Sequence, residues 1–198
     1  MKNLYLRSML AAACAATLAA CGGSGGNLYL QVQVGGLAKD GLILLNDGER
    51  LPVTVGQTNV VFTKLVKTDD RYDITIAQQP KGAVCTLTNG VGKASSYSVN
   101  MASVTCKTNT YLLRGTVTGL AADGLRLVMG SINTSLLLGA TGYEFSVADG
   151  AAYGISILTQ PTGQKCRFQG SSSADGSDTV GTMGSAATTA ATLDCKPQ

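Results

Sequence analysis

The chain has 198 residues, with 15 Lys and Arg against 12 Asp and Glu, and neither histidine nor tryptophan. The near balance of charge leaves no basic footprint for nucleic acid, and the lack of histidine removes Ser–His–Asp and Cys–His catalysis along with the usual zinc sites. Charged residues make up only 14% while glycine reaches 25, which together with abundant Val, Leu and Thr points to all-β modules joined by turns.

At the start of the chain, Lys2 and Arg7 form a basic segment and Met9 to Ala20 a short apolar stretch of mostly Ala and Leu. That stretch is too short for an ordinary transmembrane helix and reads as an export signal. It ends in Leu18-Ala19-Ala20-Cys21, followed by Gly22-Gly23-Ser24-Gly25-Gly26. These residues resemble the lipobox of bacterial lipoproteins. The resemblance implies cleavage before Cys21, lipid on that cysteine, and the membrane as a partner reached through the lipid. Gly22, where an aspartate would stand in retained lipoproteins, resembles the outer-membrane sorting pattern of enteric bacteria. It implies an outer-membrane lipoprotein facing the periplasm or the surface. The expected organisation is a signal peptide over 1–20 and a lipidated cysteine with its Gly/Ser tether over 21–26, reaching at most ~20 Å. Lys2 and Arg7 leave with the signal, so the mature chain is nearly neutral.

Beyond the tether, Leu28, Leu30, Val32 and Val34 alternate with Tyr29, Gln31 and Gln33, the pattern of a strand with one buried face. Asp40-Gly41 marks a turn into the apolar run Gly41 to Leu45. Leu51 to Val55 and Val60 to Thr63 read as two more strands, and Asp69-Asp70-Arg71 as a polar turn. Tyr72, Ile74 and Ile76 then share a strand face until Pro80, which cannot donate to a ladder, stops it. Cys85 and Leu87 share a face of the next strand, and Val104 and Cys106 of the last.

The same order then recurs. Tyr111 to Val117 opens it, Asp123-Gly124 turns into Gly124 to Val128, and Ser135 to Leu138 and Tyr143 to Val147 follow. Tyr153, Ile155 and Ile157 alternate until Pro161, Cys166 shares a face with Phe168, and Leu193 shares one with Cys195. The offset is 83 residues from Phe62 to Phe145, 81 from Tyr72 to Tyr153 and from Cys85 to Cys166, and 89 from Cys106 to Cys195. A period this long is unlike a solenoid repeat and suits two small domains, at 27–107 and 108–198. About seven short strands per copy, with no convincing amphipathic helix after residue 20, argue for a β-sandwich.

Of the six cysteines, Cys14 leaves with the signal and Cys21 takes lipid, which leaves Cys85, Cys106, Cys166 and Cys195 in an oxidising compartment. Four cysteines allow three pairings. One pair per copy makes Cys85–Cys106 and Cys166–Cys195 the economical choice, with cross-copy pairing as its competitor. Each disulfide is then expected to join the last two strands of its copy from the core side and to contribute about 3 kcal/mol by the chain-entropy argument. With no Cys-x-x-Cys, these read as staples and not as a redox centre.

The run Gly119-Leu120, Gly124-Leu125, Tyr143-Glu144-Phe145, Tyr153-Gly154-Ile155-Ser156-Ile157 and Gln160-Pro161-Thr162-Gly163-Gln164-Lys165-Cys166 resembles a repeat of Gram-negative surface and lipid-anchored proteins. That repeat is similar to immunoglobulin-like or collagen-adhesin B-type sandwiches. The resemblance implies two tandem seven-stranded Ig-like β-sandwich domains. Two departures stand out. Without tryptophan the antibody-type Cys–Trp–Cys core is missing. The first strands offer Arg114 and no lysine, so the Lys–Asn or Lys–Asp isopeptide bond of adhesin B-type domains is not carried over.

No Ser-x-x-Lys and no phosphate-binding glycine loop occurs, and neither a cofactor nor a metal site is expected. Asp175-Gly176-Ser177-Asp178 faintly resembles a calcium loop but lacks its terminal glutamate, so it reads as a solvated loop. Nothing marks a carboxylate pair for glycoside hydrolysis. Tyr29, Tyr97, Tyr111 and Tyr143 are the aromatics expected on loops or outward faces, where a carbohydrate module would need them. The expected function is that of a non-catalytic, membrane-anchored lipoprotein with a structural, adhesive or protein-interaction role and an unidentified protein or glycan partner. The alternatives are a carbohydrate-binding or periplasmic assembly module and, last, a small hydrolase.

Overall fold

Alternating burial runs through the chain from Gln31 onward, and strands follow it. The computed structural model describes residues 26–198. These residues form an all-β, sandwich-like fold with no α-helix, and a single 3-10 turn at Ser98–Asn100. Cys21 and the signal segment lie outside the described residues. The first half holds β1 (Gln31–Gly35), β2 (Leu42–Asn46), β3 (Glu49–Val53), β4 (Asn59–Val61), β5 (Arg71–Asp73), β6 (Thr75–Gln78), β7 (Ala83–Thr88), β8 (Val91–Lys93) and β9 (Ala102–Thr108). The second holds β10 (Thr110–Thr118), β11 (Leu125–Met129), β12 (Ile132–Leu136), β13 (Gly142–Ala148), β14 (Ala152–Thr159), β15 (Gln164–Phe168), β16 (Asp178–Thr182), β17 (Thr188–Thr189) and β18 (Leu193–Pro197).

The two halves repeat one strand order. One sheet runs β4-β1-β9-β7 in the first half and β13-β10-β18-β15 in the second. The other runs β3-β2-β6, with β5 pairing β8, and then β12-β11-β14-β16. In each half the first strand lies parallel to the last, β1 along β9 and β10 along β18. Each half has its own apolar core. Leu30, Leu42, Leu44, Phe62 and Ile74 are fully buried in one, and Leu113, Leu125, Leu127, Ile155 and Leu193 in the other.

Three expectations need correction. There are nine strands per half, not seven. The stretch Tyr72 to Ile76 breaks at Ile74, whose amide turns to donate to the Gly90 carbonyl at 2.8 Å. β5 can then pair with β8 while β6 pairs with β2, whereas the uninterrupted β14 reaches β11 and β16 at once. The added strands β8, β16 and β17 are short and carry no apolar alternation to announce them. They also fall between the cysteine strands in sequence. The disulfides therefore join β7 to β9 and β15 to β18, which are neighbours in space but not the last two strands along the chain. Finally, Leu137 and Leu138 do not continue a strand: β12 ends at Leu136, and both leucines stand in the following loop, 74% and 58% exposed.

Turn chemistry sets these boundaries. Between β2 and β3 the loop is Asp47-Gly48, with φ of 45° and 80°. That pair of positive angles belongs to the mirror-image hairpin turn whose twist matches the flanking strands, and Asp-Gly is suited to it. Gly36 and Gly119 share a φ of 71°, and a Cβ on either would collide with the carbonyl oxygen of Cys106 or Cys195. The backbone of the first strand thus passes too close to the last for any side chain there.

Tyrosines also lie across bare glycines of neighbouring strands. Tyr72 stands opposite Gly92 and Tyr153 opposite Gly181, the same pair in each half. In the second half Tyr143 also covers Gly115. The equivalent pair in the first half is Val60 opposite Val32.

Candidate functional site

Both copies carry Gln-Pro-x-Gly two residues before the cysteine strand turns inward, and the structure explains the glutamine. Cys85 sits directly opposite Cys106, and Cys166 opposite Cys195, with 3.9 Å between Cα atoms in each bonded pair. β7 and β15 are outer strands of their sheets. The Cys85 amide donates to Gln79 Oε1 at 2.8 Å, and Gln79 Nε2 donates to the Cys85 carbonyl at 2.9 Å. Gln160 treats Cys166 the same way, at 2.8 and 3.0 Å. A side-chain amide thus takes the place of a neighbouring strand's peptide group, closing the sheet edge at the cystine. Gln164 adds a second clamp in the later half, accepting from Ala121 N–H and donating to Gly119 C=O at 2.8 Å each. Ala83 stands at its equivalent position and makes none.

Gln160→Leu keeps the bulk and removes both bonds. It is expected to cost about 1–3 kcal/mol, because the Cys166 peptide groups lose their partners in a part-buried place. Urea unfolding measures it, and an effect within error would mean that water replaces the amide freely.

The second cluster lies where the halves meet. Only Asn109 separates β9 from β10. Lys39 from the first half reaches Asp149 Oδ1 of the second at 3.1 Å. A shallow hollow beside it is lined by Val84, Lys107, Thr108, Asn109, Thr110 and Tyr111.

The aromatics expected to face outward divide. Tyr29 and Tyr97 are exposed, and Tyr111 is half-buried. Tyr143 is a core residue, only 5% exposed, which corrects the expectation for it. Its hydroxyl donates to the Ala191 carbonyl at 2.6 Å, and its ring meets Phe145 and Phe168 edge-on. Burial, with Tyr153 nearby, pushes its pKa up to about 12. The Asp175–Asp178 loop closes on its own serines: Ser177 donates to Asp175 Oδ1 through N–H and Oγ, and Ser171 Oγ donates to Asp178 at 2.9 Å. Among the described residues no group of three or more His, Cys, Asp or Glu is placed to hold a metal ion. The turn expected at Asp69-Asp70-Arg71 falls earlier, over Lys67–Asp70: Asp70 N–H donates to Lys67 C=O at 3.1 Å, Asp70 Oδ2 accepts from Lys67 N–H, and Arg71 already opens β5. Among the described residues no helix is long and apolar enough to cross a membrane.

Several carboxyls are held below their ordinary range. The Ser185 hydroxyl, then Lys39, does so at Asp149; Ser177 at Asp175; Ser173, then Ser171, at Asp178; and Thr118, then Lys196, at Asp194. At Glu49 burial opposes the shift, and hydrogen bonds from Thr63 and Lys64 overcome it. Each such group binds its proton less tightly folded than unfolded. Its contribution is therefore complete above the ordinary values of 3.8 and 4.5 and is lost as the pH falls through the lowered ones. Tyr143 acts oppositely, contributing fully below 10 and losing that contribution as the pH rises toward about 12. With no histidine to titrate, thermal midpoints are expected to be flat from about pH 6 to 8 and to drop below about pH 4. A step near neutrality would contradict this.

No known family model matches the chain, and no curated protein matches it.

Proposed function

We propose that the chain is a non-catalytic lipoprotein of the Gram-negative envelope. On this reading lipid on Cys21 anchors it, and its two halves are tandem Ig-like sandwich modules of the collagen-adhesin B type with a structural, adhesive or protein-interaction role. The observation that carries the reading is duplication at the level of strand order, disulfide register and glutamine clamp. The features repeated are those that hold strands together, which is what a copied scaffold preserves. Edges closed by Gln79 and Gln160 disfavour strand addition at β7 and β15. Among the loops, the one holding Leu137 and Leu138 presents two adjacent exposed leucines to a partner.

Crosslinking and capture from intact envelopes, comparing the parent chain with Cys21→Ser, tests this reading. The parent is expected to enter the detergent phase and to capture envelope partners that Cys21→Ser loses. Equal detergent partitioning, or the same partners from both forms, would overturn the anchor.

A further inference from the structure

The connection between the halves has no slack. Asn109 N–H donates to the Gly82 carbonyl of the first half at 2.9 Å, and Asn109 C=O accepts from Asp149 N–H of the second at 2.8 Å. The Asp149 side chain is only 9% exposed, and Lys39, at 28%, reaches across to it. Oδ2 of Asp149 is buried without a hydrogen bond of ordinary geometry among the described residues. Lys81 adds positive charge from the first half, and Ser185 approaches from the second. Two glycines make the room. A Cβ on Gly82 would stand 2.5 Å from the Asp149 carboxyl carbon, and one on Gly150 2.7 Å from Lys39 Nζ.

These lysines are not part of the duplicated pattern. The positions equivalent to Lys39 and Lys81 in the second half hold Ala122 and Thr162. What meets Asp149 is therefore particular to this junction and not a general property of the module.

We propose that Asp149 is a latch that fastens the two halves into one rigid unit, with Asn109 as its pinned pivot. A carboxylate enclosed this far is tolerated only while cations neutralise it. Removing Lys39 leaves the buried carboxylate with only the Ser185 hydroxyl and the Lys81 charge, which forms no ion pair with it; this shortfall draws water, and the halves part to admit it. Removing both charges takes away the latch but also that penalty. The order of opening is thus Lys39→Met greatest, Lys39→Met/Asp149→Asn less, parent least. None of this depends on the lipoprotein reading.

Residual dipolar couplings of the chain carrying Cys21→Ser test the order. In the parent, one alignment tensor is expected to fit both halves. In Lys39→Met each half is expected to need its own, with core amide shifts unchanged, and the double variant is expected to lie between. Separate tensors in the parent, or a single shared tensor in Lys39→Met, would overturn the latch. Lys39 sits in a loop between β1 and β2, and should its variant perturb the core, Asp149→Asn alone removes the latch without leaving a buried charge; it is expected to open the halves as far as the double variant does, and a single shared tensor in it would overturn the latch.

Discussion

Replacing Cys166 and Cys195 together by alanine is expected to lower the stability of the second half by about 2–5 kcal/mol. The bond spans 29 residues, and its sulfurs belong to residues 0% and 4% exposed, within the core cluster. Two effects add. The unfolded chain regains the freedom of a long loop, and the folded core loses sulfur atoms that nothing refills. A core as small as this has little margin to absorb either loss. Hydrogen exchange resolved by residue reads the outcome. Protection is expected to collapse along β15 and β18 while the amides of β1 and β9 keep theirs. A loss under about 1 kcal/mol would mean that strand pairing alone holds the half together.

Gly115→Val is expected to destabilise the second half by about 3 kcal/mol, since the Tyr143 ring already occupies the space a Cβ would need. Tyr143→Val alone is expected to cost about 2–4 kcal/mol, through a cavity, a lost bond to Ala191 and two lost ring contacts. The two changes together recreate the Val32–Val60 pair that the first half uses at the same register. The double variant should therefore recover about 1–3 kcal/mol of the summed losses. Strict additivity in denaturant unfolding would show that the two halves fill this position by unrelated means.

The burial of Tyr143 has a local signal. Tyr143, Phe145 and Val147 alternate along one strand, so period two puts all three on one face. Nothing local, however, reveals that the facing residue on β10 is a bare glycine. The glutamine of each Gln-Pro motif was equally visible as a repeated residue. Its task was hidden because the Gly82 and Gly163 turns fold the chain back so that the amide meets a peptide group six residues on. Strands β8 and β16 stayed hidden for a different reason. They are short and carry no apolar alternation, and they form only because β5 and β14 offer them a ladder.

From the order of residues alone came the all-β class, the duplication, the strongly alternating strands and the one-pair-per-copy cysteine arithmetic. These rest on interactions between near neighbours, on side-chain parity and on chain length, all of which are written locally. Tertiary structure alone decided the nine-strand count, the glutamine-closed edges, the Tyr143–Gly115 exchange and the burial of Asp149 against Lys39. Each of these joins groups from separate strands or from separate halves. Their geometry follows from how sheets and halves dock, which no single stretch of sequence encodes.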